Sequence, residues 1–131
     1  MVRMAIIGIG KISTKAMIPA IRRAETADLY ALGSSSPDKA ARLQTAAKRV
    51  YPSYQQVLDD PAVDGVYIGL PNHLHKEWTV KALACGKHVL CDKPLALNLD
   101  ETKDVNAAAR SAGRVLMEGF MYRFHPQHAR V

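Results

Sequence analysis

Near its start the chain passes from an apolar run, Met4-Ala5-Ile6-Ile7, into Gly8-Ile9-Gly10-Lys11-Ile12-Ser13 and then into a helical pattern. No other stretch constrains the fold as much. A buried β-strand that feeds a glycine turn and a helix N-terminus makes a corner suited to phosphate. Gly8 permits the tight turn, and Gly10, with no Cβ, lets a pyrophosphate approach the backbone. The N–H groups and positive dipole end of the following helix, from Lys11 and Ile12 onward, face the anion. Ser13 stands where the third glycine of the dinucleotide fingerprint falls and is small enough for close helix–strand packing. Alone, such a motif is often only a turn, so the rest of the chain must decide.

Strand and helix patterns alternate from end to end. Mostly apolar segments at 3–8, 28–34, 65–69, 87–91 and 114–119 predict strands buried on both faces, with a short one near Arg49-Val50-Tyr51. Helices are expected between them. One covers 14–25, kinked at Pro19. Another covers 37–48, with Ser36 as N-cap and Pro37 at the first helical position. A short helix follows at 53–58. The helix at 73–85 stops at Gly86, and that at 99–112 is capped by Asn98 or Asp100 and stopped by Gly113. Repeated βαβ units predict an α/β fold with a doubly wound parallel sheet, a Rossmann fold.

At 131 residues the chain is one domain, short for a complete dinucleotide-dependent enzyme. Its 48% hydrophobic and 23% charged residues are those of an ordinary globular protein. No apolar run approaches the roughly 18 residues of a membrane span, and no secretory signal is recognisable, so a cytoplasmic protein without membrane partners is expected. Cys85 and Cys91 fit neither zinc-knuckle nor redox spacing and read as reduced core thiols, and no metal site is expected. The net charge of +6 is spread over separate helix faces, including Arg42 and Lys48, with no basic block interleaved with aromatics; nucleic-acid binding is not expected.

In a doubly wound sheet the ligand lies outside the C-terminal strand ends. After the second strand comes Gly33-Ser34-Ser35-Ser36, where an acidic residue would grip the ribose hydroxyls of NAD; none is present. Ser34, Ser35 and Ser36, with Lys39 one turn on, suit a 2′-phosphate, favouring NADP while leaving NAD possible. After the strand at 65–69 comes Leu70-Pro71-Asn72-His73-Leu74-His75. Pro71 fixes an extended turn, Asn72 can cap a helix or bond a ribose or nicotinamide, His75 is expected beside a cofactor and His73 in solvent. After the strand at 87–91 comes Cys91-Asp92-Lys93-Pro94. A lysine and a carboxylate at the mouth of a nucleotide site can orient an alcohol or assist its proton transfer.

Together, GIGKIS, SPDKA, YPSYQQVLDDPAVDGVYIGLPNHLH, GKHVLCDKPLALN and MEGFMYRFHPQ resemble the N-terminal domain of the glucose–fructose oxidoreductase/inositol dehydrogenase (Gfo/Idh/MocA) family, from Val2 to Val131. CDKP is similar to that family's Glu-Lys-Pro triad with Asp92 in place of glutamate. The resemblance implies that Lys93 is the active-site lysine, and that Arg123 and Pro126 belong to the segment entering a second domain. It also implies binding of NAD or NADP and hydride transfer to or from a sugar, polyol or related carbon. A C-terminal α/β domain would complete the pocket and the homo-oligomer. Residues 1–120 then form the cofactor domain and 121–131 the start of a connection to a substrate domain that is missing. The helix just beginning at Gln127 suits a truncated chain. The alternative is a non-catalytic nucleotide-binding module, a redox sensor or partner-binding protein.

Overall fold

The computed structural model describes residues 1–131 and places strands at Val2–Ile7 (β1), Ala27–Gly33 (β2), Arg49–Tyr51 (β3), Gly65–Ile68 (β4), His88–Cys91 (β5) and Leu116–Glu118 (β6). They form one parallel sheet in the order β3-β2-β1-β4-β5-β6. The chain winds outward from β1 through β2 to β3, then returns to lay β4 on the other side of β1. That reversal opens a crevice at the strand ends.

Helices cover Ile18–Arg23 (α1), Pro37–Arg42 (α2), Tyr54–Asp59 (α3), His75–Ala84 (α4), Leu99–Ala112 (α5) and Pro126–Ala129 (α6). Alternating side chains of the strands divide the core. Ala5 and Ile7 join Val57, Leu58 and Leu83, with Ala108 and Ala109 of α5 packed against them, beneath α3, α4 and α5, whereas Ile6, Leu32 and Tyr67 pack with Ile18 and Ile21 of α1. Period-2 alternation with both faces covered is why each strand reads as a continuous apolar run.

Local signals account for several boundaries. Ser36 Oγ accepts from the Lys39 N–H, Asn98 Oδ1 accepts from the Glu101 N–H at 2.9 Å, and Gly113 closes α5 with φ +61°. Other expectations need correcting. The helix predicted over 14–25 opens with a π-helical turn, Ser13–Met17, and becomes α-helical only at Ile18; the wider turn lies directly before Pro19, which has no N–H to donate. The helix predicted over 37–48 ends at Arg42, because the chain turns so that Leu43, Ala46 and Ala47 pack against the Ile6–Leu32 side of the core. Cys91 is a buried core thiol, pushed up to about 12 by burial, but Cys85 caps the end of α4 and is exposed.

Register fixes where the site lies. Ile7 is level with Gly33 and Ile68, Gly33 with Tyr51, Ile68 with Cys91, and Cys91 with Glu118. Gly8, Ser34, Gly69, Asp92 and Gly119, one residue further along, therefore share one edge of the sheet. No helix is long and apolar enough to cross a membrane.

Candidate functional site

Gly8 leaves β1 with φ +89°, in the left-handed region. A Cβ there would stand 2.7 Å from the Gly69 carbonyl oxygen and 2.9 Å from a Leu70 methyl. Backbone and neighbours both demand glycine. Gly10 is the opposite case. It is exposed, and an added Cβ would meet no atom within 4 Å. Nothing in the chain itself requires glycine there, and the open space above the turn is what a close-lying pyrophosphate needs. The exposed Lys11 and Ile12 stand beside it. Ser13 is buried, and its Oγ donates to the Gly8 carbonyl at 2.6 Å. The serine thus fills the third-glycine position while tying the helix start to the turn.

At the end of β2, Ser34 is buried and its Oγ accepts from the Ser36 N–H at 3.3 Å. That corrects the expectation of a ligand-facing hydroxyl: Ser34 braces the turn from within. Ser36 is taken up by capping, and Ser35 and Lys39 are exposed. Sequence reasoning missed a cation here. Lys39 and Arg42, three residues apart on α2, line a cavity of about 240 Å³ with Ile9 and Leu43. Spacing of i, i+3 was the available signal, since it puts two cations on one helix face.

Beyond β4, Leu70 is buried under the glycine turn, whereas Pro71, Asn72 and His73 are exposed. Asn72 caps nothing through its side chain, which leaves its amide available. His75 corrects a second expectation. It is 1% exposed, and both ring nitrogens face carbonyl oxygens, Nδ1 that of Pro94 at 2.6 Å and Nε2 that of Leu70 at 2.7 Å. An imidazole so enclosed has both nitrogens turned to protein carbonyls, and it joins the loops after β4 and β5.

In the loop after β5, Asp92 Oδ1 accepts from the Lys93 N–H at 2.8 Å, and Lys93 extends its side chain into solvent. The Lys93–Pro94 peptide is cis. Burial raises the Tyr67 hydroxyl above the ordinary tyrosine range, and the neighbouring Asp92 carboxylate adds to the effect. Tyr67 and Asp92 form the polar end of a cavity of about 290 Å³, otherwise lined by apolar groups such as Ile12, Met117, Phe120 and Phe124. Arg123 is exposed on the 3₁₀ turn Met121–Phe124 and makes no ion pair.

A doubly wound sheet with an open glycine corner at its reversal point, and cations one strand away, defines a dinucleotide-binding α/β domain. The chain belongs to the Gfo/Idh/MocA oxidoreductase family: that family, described as an oxidoreductase family with an NAD-binding Rossmann fold, matches residues 2–120. An uncharacterized oxidoreductase of Rhizobium meliloti is 41% identical over 129 residues, 97% of this chain and 39% of that protein. A D-xylose 1-dehydrogenase (NADP(+)) of Haloferax volcanii is 42% identical over 123 residues, 92% of this chain and 38% of that protein. Among solved structures, the 3-ketoreductase KijD10 of Actinomadura kijaniata, in complex with TDP-benzene and NADP, superposes with a TM-score of 0.92 at 35% identity, covering 98% of this chain and 41% of that one. The chain thus spans about two fifths of the length of these relatives.

Proposed function

We propose that this chain is the NADP-binding domain of an oxidoreductase acting on a sugar, polyol or related alcohol or carbonyl compound. One observation carries the reading: a Cβ at Gly10 would meet no atom within 4 Å, although one at Gly8, two residues earlier, would stand under 3 Å from Gly69 and Leu70. The names of the xylose dehydrogenase and of the NADP-bound ketoreductase support both the cofactor and the substrate class.

In this reading the backbone from Gly8 to Ile12 binds the pyrophosphate, and Ser35, Lys39 and Arg42 hold the 2′-phosphate by hydrogen bonding and charge. Ser34 supports that turn from beneath. Pro71, Asn72 and Asp92 border the nicotinamide half, with Leu70 and His75 behind them and Arg123 at the rim. NADP(H), when bound, supplies or takes up the hydride. Lys93 Nζ donates to the substrate oxygen, orienting it and stabilising the negative charge that develops there. Residues 121–131 lead toward a second domain that closes the pocket, and the whole protein is a cytoplasmic homo-oligomer without a nucleic-acid partner.

Calorimetric titration of the chain with NADPH and NADH tests the reading. Saturable NADPH binding, tighter than that of NADH, is expected; no binding of either nucleotide overturns it.

A further inference from the structure

We infer that His75 and Glu118 are positioning residues for the loop that carries Lys93, and that they do so by gripping the two sides of a single peptide group. The Pro94 carbonyl faces His75 Nδ1 at 2.6 Å, and the Leu95 N–H of that same peptide donates to Glu118 Oε1 at 2.8 Å. His75 projects from α4, and Glu118 is the last residue of β6, so two elements far apart in sequence close on the loop from either side.

The geometry around them explains why the loop needs both. Its entry is held by the sheet: the Asp92 N–H donates to the Ile68 carbonyl at 3.0 Å, and the Gly119 N–H to the Cys91 carbonyl at 2.8 Å. Lys93 comes next, with an exposed side chain that makes no ion pair, and its backbone N–H goes to its neighbour Asp92. The Pro94–Leu95 peptide is the next tie along the chain. Without it the next backbone tie after Lys93 is the Leu97 N–H to Glu101 Oε2 at 2.9 Å, four residues on, and the lysine sits on a longer untethered stretch. His75 does a second job, since its Nε2 faces the Leu70 carbonyl at 2.7 Å. A single buried ring therefore sets the spacing between the loop bearing Pro71 and Asn72 and the loop bearing Asp92 and Lys93. Small errors in such spacing are costly where reacting groups must align.

The inference rests on the reading of these two loops as the nicotinamide half of the site. Its test uses the 131-residue chain and compares NADPH with 2′,5′-ADP, which carries the adenosine half and lacks nicotinamide. His75→Phe keeps a ring in the buried position and removes both nitrogens. Glu118→Leu removes the acceptor, and Glu118→Gln keeps an oxygen able to accept from Leu95. His75→Phe and Glu118→Leu should each weaken NADPH about tenfold, the worth of one or two lost hydrogen bonds, while 2′,5′-ADP stays within about twofold. Glu118→Gln should bind NADPH like the parent. Parallel loss of both ligands would mark a general structural role and overturn the inference, as would unchanged NADPH binding by Glu118→Leu. Should His75→Phe fail to fold, the two Glu118 variants decide. If the unmodified chain binds 2′,5′-ADP and NADPH equally well, the nicotinamide reading of the loops falls and the inference with it; if it binds neither, the cofactor reading itself is at fault.

Discussion

Ser13 Oγ donates to the carbonyl oxygen of Gly8 at 2.6 Å, closing the glycine turn with a bond from the first helix. The same hydroxyl would lie 2.9 Å from a Cβ at Gly69, so β1, β4 and the helix start meet at one closely packed point. Gly10 lies just outside it, and the two glycines of the motif consequently answer to different demands.

Gly8→Ala should destabilise the fold by roughly 2–4 kcal/mol, since a left-handed backbone and a 2.7 Å contact with a carbonyl both oppose it. Gly10→Val should change stability by less than about 1 kcal/mol yet weaken NADPH at least about tenfold, because its methyls occupy only the space meant for the pyrophosphate. Denaturant unfolding paired with calorimetry separates the two effects. Unaltered NADPH affinity in Gly10→Val would place the cofactor elsewhere.

Selectivity should reside in the pair on α2. Arg42→Ala should weaken NADPH about tenfold or more and leave NADH nearly untouched, as expected for loss of one charge-assisted bond to a 2′-phosphate. An acidic residue that reverses the preference belongs at the exposed Ser35, because at Ser34 the carboxylate would be buried. Competition binding with both nucleotides gives the answer; tighter NADH than NADPH in the parent would implicate the exposed Asp38 in holding the ribose.

Lys93 should govern turnover only where the pocket is whole. The 131-residue chain should bind NADPH and oxidise no sugar measurably, since positioning supplies much of the rate and Lys93 stands exposed to solvent. Its exposed Met121, Tyr122 and Phe124 should also make it self-associate, as light scattering would detect. In a protein joining this domain to its substrate domain, Lys93→Met should lower kcat at least about a hundredfold. Sustained sugar oxidation by the short chain would refute the two-domain requirement.

Acid stability should show the Arg3–Asp64 pair. The Arg3 guanidinium and backbone N–H both bond the Asp64 carboxylate, which lowers it to about 2 from an ordinary 3.8. Folded-state depression of a carboxylate means that the stabilisation is complete above about pH 4 and lost as pH falls through about 2. Both partners are partly exposed, at 46% and 36%, so solvent screens the effect to a modest one. Melting temperatures of the parent and Asp64→Asn, measured from pH 5 to about 2, should converge at the acid end; a constant gap would show that the pair does not titrate with folding.

What the sequence determined was local. Strands buried on both faces must read as apolar runs, and so the alternation of strands and helices was legible; so were Ser36, Asn98 and Gly113, because a cap acts within four residues of itself. The glycine corner was legible for the same reason. Tertiary structure decided which groups share the strand ends. His75 meets a carbonyl 19 residues away and Glu118 an N–H 23 residues away, contacts that exist only once parallel register aligns Ile68, Cys91 and Glu118. Whether a polar side chain near the corner turns outward to a ligand or inward to the protein was equally invisible: Ser34 and Ser35 are chemically identical neighbours, and packing buries one and exposes the other. Short-range hydrogen bonding follows from residue order alone, whereas long-range contact depends on how the sheet is assembled.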